Sequence, residues 1–426
     1  MRDRGWNSGR SSSDVVRRHR PDYMIAIYTG ILMLLGLVII YAIGPQRANV
    51  LNAAFGSEYS DSYFFIKQFV SFGVALVAFI GAALIPYMIW VKHASKLLIL
   101  GLAACVALAL ASLASLPIAP EINGATSWFN LGVLGSIQPA EILKFGLLAY
   151  LAVFLGKRMK DGTVNDVKGT LVPVGVVSAL SLFFVIIVQR DLGTGISLIV
   201  IILTMLFIAG LNRKMIAFLA AGVVVLGLLS VAVAPHRIER VATFLQGDNV
   251  SKEDPGGYHI YQANIALGTG GLFGVGVGNS VQATGYLPES INDSVFAILG
   301  ETFGFIGLMV LLALFTALLM RLLRVMDHLV DIRLKLLVAG VFGWFGAHVI
   351  LNIAAMLSIF PLTGITLPLL SFGGTSMVFL AAALGLVFQL SRYTVHTSHL
   401  KEASRHENSG SRRRVGRTRY ASRRSS

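Results

Sequence analysis

The sequence predicts an all-α integral membrane protein: ten transmembrane helices, with a large extracytoplasmic loop between the seventh and the eighth. Three observations lead there. The 426-residue chain is 55% hydrophobic and only 13% charged, with a mean hydropathy of +0.74, far from the composition of a soluble or a disordered protein. Apolar runs recur ten times, near 23–43, 67–89, 97–116, 139–156, 169–188, 191–210, 215–234, 294–320, 336–358 and 367–390; each has roughly the 20 residues that cross a hydrocarbon core of about 30 Å. Finally, 28 of the 35 Lys and Arg fall in the N-terminal segment, in the loops after the second, fourth, sixth and eighth runs, and in the tail.

Residues 1–22 form a basic N-terminal segment. The apolar run that follows is too long for the core of a signal peptide and lacks a small-residue cleavage site, so it stands as the first span. Ten is even, so both termini share a side, and the accumulation of basic residues makes that side cytoplasmic. The net charge of +14 is thus mostly topology, and nucleic acid is not an expected partner. The fifth and sixth runs are separated only by Gln189-Arg190-Asp191; joined, they would make a helix far longer than the bilayer, so they count as two spans. Residues 23–391 read as one transmembrane domain that includes the extracytoplasmic loop 235–292. The Arg- and Ser-rich stretch 392–426 reads as a disordered cytoplasmic tail, suited to anionic membrane lipid or to a cytoplasmic partner. The single cysteine, Cys105, permits no intrachain disulfide and suggests no thiolate metal site.

By parity the loops after spans 3, 5, 7 and 9 lie outside, and they hold the unusual residues: INGATSWFNLGVLGSIQPAEILK at 122–144, QRDLGT at 189–194, the long segment 234–292, and PLTGITLPLLSFGGTS at 361–376. A site built from outer loops has no access to cytoplasmic ATP, and no GxxxxGK[ST] stretch is present. Bond formation there needs a substrate that carries its own activated leaving group. The glycine-rich GTGGLFGVGVGNS fails the dinucleotide pattern at Asn279 and follows no strand. Asp293 stands out because a carboxylate where a polar loop enters an apolar helix is costly to desolvate and is a candidate for chemistry.

Several stretches in the right order resemble the SEDS membrane glycosyltransferases, the family of FtsW and RodA: NGATSWFNLG with SIQPAEILK, RDLGT, GYHIYQANIALGTGGLFGVGVGNSVQATGYLPESIND, FAILGETFGFIG and PLTGITLPLLSFGGTS. The piece GVGVGNSVQATGYLPE resembles the division-type FtsW branch more than the RodA branch. The resemblance implies polymerisation of lipid II, an undecaprenyl pyrophosphate-linked disaccharide peptide, into glycan strands at the outer face of the bacterial cytoplasmic membrane, at the division septum. It implies a class B penicillin-binding protein transpeptidase and other divisome proteins as partners. Lipid II flipping or other transport, and a RodA-type role in elongation, are the alternatives; no polar path across the bilayer or internal repeat favours transport.

Within that resemblance Asp293 matches the catalytic aspartate, a general base for the acceptor hydroxyl; capping the eighth span is its simpler role. Lys144, at i, i+3 from Glu141, would face the departing diphosphate, or be half of a structural ion pair. Arg190, Arg237 and Arg240 are further outer cations, the last two equally suited to interfacial anchoring. Trp128 matches a site-lining tryptophan or is an interfacial anchor. Glu301 reads as a buried polar contact or a second carboxylate of the site. Gln262, Asn352, Thr363 and Ser371 would pack or position substrate. A divalent cation, Mg or Mn, could share the diphosphate charge, although no ligand cluster is visible. The sequence departs from the family pattern in several places: Arg190 replaces a usual Pro, His348 a Gln and Thr302 a second Glu, and basic residues are missing near Thr126–Ser127 and near Val281 and Ala283.

Overall fold

The structure, a computed structural model, describes residues 19–121, 124–132, 135–232, 238, 244 and 255–394. The expected termini 1–22 and 392–426 lie mostly outside this set, as do residues 235–237, 239–243 and 245–254 of the 235–292 loop.

The described chain is helical: α1 (Tyr23–Phe55), α2 (Tyr63–Leu84), the short α3 (Tyr87–Lys92), α4 (Ala94–Leu113), α5 (Pro139–Lys160), α6 (Val172–Leu182), α7 (Leu192–Ile208), α8 (Arg213–Ala232), α9 (Pro255–Gly270), α10 (Val295–His328), α11 (Ile332–Met356) and α12 (Gly374–Leu390). Widened π-type turns flank α6 and extend it to 167–188. A two-residue hairpin pairs Phe129 with Ile137 and Asn130 with Ser136. Aspartates start four helical segments by accepting backbone N–H groups, Asp22 for α1, Asp166 for the turn before α6, Asp191 for α7 and Asp331 for α11. Each such cap is worth about 1 kcal/mol.

Eight helices among the described residues are long and apolar enough to cross a membrane, counting 167–188 as one. Of the other two expected spans, 191–210 corresponds to α7, which has 17 residues, and 215–234 to α8. The break expected at 189–191 is present. Other boundaries move. α1 runs on to Phe55 through Pro45. The second span starts at Tyr63 and stops at Leu84, because Pro86 interrupts it and a separate short helix follows. The tenth starts only at Gly374, since 367–373 is a turn in which Leu369 adopts φ 68°.

The largest correction concerns the eighth span, expected as a continuous helix over 294–320. Gly304 breaks it with φ 65° and ψ −168°, a region open only to glycine. A Cβ there would stand 2.4 Å from Gly274 N. The backbone groups freed by the break are taken up by a folded-in loop: Val275 and Gly276 N–H donate to Glu301 and Thr302 carbonyls at 2.9 and 3.0 Å, and Phe305 and Ile306 N–H donate to Gly271 and Leu272 carbonyls at 2.8 and 3.1 Å. Non-helical backbone is tolerated near a bilayer when protein satisfies it in this way.

The bundle has two distinct ends. At one, Asp22 pairs with Arg321 at 3.6 Å, Asp22 N–H reaches Ser391 Oγ at 2.8 Å, and His19 N–H reaches the Arg392 carbonyl at 2.9 Å. The first and last described residues therefore share a side, the parity the sequence requires. The connections expected outside gather at the other end. The core between them is a continuous apolar cluster in which α5 and α11 are the most enclosed of the spans.

Candidate active site

The connections expected outside interlock. Ser127 Oγ donates to the Gln189 carbonyl at 3.2 Å, Gln138 Nε2 to Asp191 Oδ2 at 2.9 Å, and Arg190 Nη1 to the Gly124 carbonyl at 3.0 Å, which joins the loop before α5 to the loop before α7. The Thr363 carbonyl presses against the first turn of α7, where a Cβ on Gly193 would come within 2.6 Å of it. Phe372 N–H donates to the Ile291 carbonyl at 2.8 Å and Asn264 Nδ2 to Ser358 Oγ at 3.4 Å, which fastens the 357–373 connection to the long outer segment.

Asp293 sits half-buried in this confluence, at the end of a tightly bonded turn. Glu289, at φ 48°, accepts through its carbonyl from Asn292 N–H at 2.9 Å and from Ser294 N–H at 3.3 Å. Its carboxylate binds the Asn292 amide and faces Arg47 at 3.7 Å. Ser294 Oγ lies 2.8 Å from the Pro288 carbonyl and 2.7 Å from His259 Nε2. From the other side Asn352, 1% exposed, donates its Nδ2 hydrogens to the carbonyls of Asp293 and Ile365, both at 2.7 Å. One amide thus ties the end of the long loop to the 361–373 segment. Ser294, rather than Asp293, holds the position before the first turn of α10.

This chain matches a family model described as "Cell cycle protein" (FtsW, RodA, SpoVE) over residues 22–396. It belongs to the FtsW/RodA/SpoVE family. Similar curated proteins include Stage V sporulation protein E of Bacillus subtilis, 34% identical over 386 residues that cover 89% of this chain and 99% of that one. Another is the probable peptidoglycan glycosyltransferase FtsW of Coxiella burnetii, 31% identical over 380 residues that cover 88% and 96%. Among solved structures, a chain of a peptidoglycan synthase complex superposes with a TM-score of 0.67 at 25% identity, covering 87% of this chain and 98% of that one. The rod shape determining protein RodA of Thermus thermophilus shares the fold, with a TM-score of 0.61 at 24% identity over 88% and 98%.

The other residues singled out from the FtsW/RodA-like sequence divide into three groups. Asn352 and Ser371 belong to the frame around Asp293: Ser371 Oγ accepts Leu367 N–H at 2.9 Å and its carbonyl accepts Gln68 Nε2 at 3.4 Å. Thr363 is half-buried in the same segment, and Gln262 is buried on α9 one turn beyond His259. Trp128 is half-buried beside the Ser127 tie and the hairpin.

A second group faces inward. Lys144 is 0% exposed; its Nζ lies 2.8 Å from Glu141 Oε1, 3.3 Å from His348 Nε2 and 4.8 Å from the Trp344 ring centroid. It is enclosed in protein and in this conformation touches no surface that a diphosphate could reach. His348 and Asn352 are i, i+4 on α11, so this buried pair sits one turn below the amide that holds Asp293. Glu301 is 2% exposed and accepts from the Ser280 hydroxyl, from Val281 N–H at 3.0 Å and from Gln282 N–H at 3.3 Å. It anchors the 280–284 segment.

The third group is peripheral or undescribed. Arg190 is exposed, in left-handed backbone at φ 57°, and its guanidinium turns to Gly124 and, at 3.8 Å, to Glu121. Proline is confined near φ −65°, so the proline usual at this position could not take up this backbone. Arg237 and Arg240 lie outside the described residues. Among the described residues no three His, Cys, Asp or Glu side chains cluster as a metal site. Sequence reasoning missed His259, Ser294 and Arg47, whose partners lie far along the chain.

Proposed function

We propose that this chain is a membrane peptidoglycan glycosyltransferase that polymerises lipid II at the outer face of the bacterial cytoplasmic membrane. The observation that carries the reading is the convergence of the separate outer connections on one half-buried carboxylate, Asp293, whose main chain is fixed from α11 by Asn352. Such preorganisation is what a general base needs. Asp293 takes the proton of the acceptor sugar hydroxyl as that oxygen bonds to the donor anomeric carbon; the bond from that carbon to the prenyl diphosphate oxygen breaks, and the diphosphate departs with the electron pair.

The departing charge needs cations. Arg47 is tied to the Asp293 turn through Glu289, and Arg237 and Arg240 are the undescribed candidates in the same long loop. Lys144 serves from below, by fixing Glu141 and His348 under Asn352. Trp128, Gln262, Thr363 and Ser371 shape the walls.

The basic end, with both termini, faces the cytoplasm, as the distribution of Lys and Arg supports. A septal role in division is supported by the relatives named FtsW and by the sequence of the 274–289 segment; a class B penicillin-binding protein is the partner suggested by the peptidoglycan synthase complex. The deciding experiment supplies lipid II to the outer face of vesicles holding the purified chain and its transpeptidase partner. Glycan ladders that vanish in Asp293→Asn support the enzyme. Lipid scrambling that survives this change, without ladders in the parent protein, would establish a flippase instead.

A further inference from the structure

α9 brings a titratable side chain to the turn that carries Asp293. His259 is 9% exposed, and its Nε2 lies 2.7 Å from Ser294 Oγ, which lies 2.8 Å from the Pro288 carbonyl. A carbonyl only accepts, so the single hydroxyl hydrogen of Ser294 goes to Pro288. Ser294 Oγ then receives its second bond from an N–H of His259, which assigns the hydrogen to Nε2. That donor is present in the neutral ring and in the imidazolium alike.

The consequence is a second clamp on Asp293. Asn352 of α11 holds the carbonyl of Asp293 itself, while His259 of α9 holds the residue that follows it and, through the same hydroxyl, the proline that opens the turn. The docking of this region onto α10 has independent support, from the four backbone bonds across the Gly304 break and from the donors gathered by Glu301. His259 is therefore not required to keep the segment folded back; its bond sets the pitch of the chain at 293–294.

We propose that His259 is a positioning residue for the reaction, acting through Ser294 to hold the Asp293 carboxylate against the acceptor hydroxyl, and that the property it supplies is the Nε2 donor rather than the ring charge. This rests on the reading of Asp293 as general base. Displacing a catalytic group by about 1 Å costs up to roughly 100-fold in rate, and the effect belongs in kcat because substrate contacts are untouched.

The test is lipid II polymerisation by the full chain with its transpeptidase partner, kcat and KM being read separately. His259→Phe keeps a ring without the donor and is expected to lower kcat by about 10- to 100-fold at unchanged KM. His259→Gln restores an N–H donor and is expected to recover most of the rate. Ser294→Ala removes the acceptor of that bond together with the tie to Pro288, so it should lower kcat at least as much as His259→Phe, with the double variant no worse than Ser294→Ala alone; it carries the test if the phenylalanine variant does not fold. Parental kcat in His259→Phe or in Ser294→Ala, a glutamine variant as impaired as the phenylalanine one, or a loss confined to KM would overturn the proposal. The two levels separate cleanly: ladders persisting in Asp293→Asn would sink the general base, whereas a dead Asp293→Asn beside a fully active Ser294→Ala would sink only the clamp.

Discussion

Asp293 and Glu301 are carboxylates at two ends of the same short helical piece, yet their surroundings assign them opposite work. Glu301 is sealed in protein, its oxygens taken by a hydroxyl and two backbone N–H groups of the 280–284 segment. Asp293 is half-buried at the meeting point of the outer connections and is fastened through its main-chain carbonyl. A carboxylate whose oxygens are taken up in organising another segment's backbone is structural. One whose backbone is held by others can direct its side chain at a substrate. The Gly304 break makes the difference possible, because it detaches this piece from the membrane-crossing part of α10 and lets a loop fold in behind Glu301.

The contrast is broken most directly by exchanging charge for amide at each position. Asp293→Asn should lower polymerisation by about 10²–10⁴-fold, the usual contribution of a general base, with the thermal midpoint in detergent unchanged. An active Asp293→Asn would erase the distinction.

A buried ion pair sharpens it. Glu141 and Lys144 are buried partners beneath the site, so Lys144→Met alone leaves an unpaired buried carboxylate and should destabilise by about 3–5 kcal/mol. Replacing both by apolar residues should recover much of that loss. Full stability of Lys144→Met would count against a structural pair and return Lys144 to the substrate. Glu301→Gln comes next. The amide keeps one acceptor and adds a donor facing donors, so the expected cost is about 1–3 kcal/mol, detected as faster proteolysis at 280–284. Polymerisation should fall only in proportion to the folded fraction.

How much of this was legible beforehand follows physical lines. Hydropathy and the placement of Lys and Arg report the solvent that each segment meets, so most of the spans and the meeting of the first and last described residues at one end of the bundle could be read. Hydropathy does not report backbone conformation, so the turn at 367–373 and the break at Gly304 were both absorbed into apolar runs. A glycine between Phe303 and Phe305 was the available signal. Asp293 was visible because its cost is local, a charge at a membrane boundary. The pairing of Lys144 with Glu141 was legible from i, i+3 spacing, but its enclosure was not, since it depends on Trp344 and His348 of a helix remote in sequence. His259 and Ser294 are ordinary residues in polar sequence, and only the packing of α9 on α10 brings them together.

Arg190 provides the smallest and most discriminating effect. Its exposed pair with Glu121 and its bond to Gly124 are worth less than about 1 kcal/mol, while left-handed backbone costs a non-glycine residue about 1–2 kcal/mol. Arg190→Ala should therefore lose a little stability, and Arg190→Gly should equal or exceed the alanine variant because glycine occupies φ 57° without strain. If Arg190 only ties two outer loops together, polymerisation in both variants will follow those small stability changes. If it adds a cation for the diphosphate, both variants will lose polymerisation by similar factors while Arg190→Gly remains as stable as the parent. Measuring thermal midpoint and glycan ladders on the same two proteins separates a loop tie from a phosphate ligand, because strain relief moves stability in one direction and charge loss moves activity in the other.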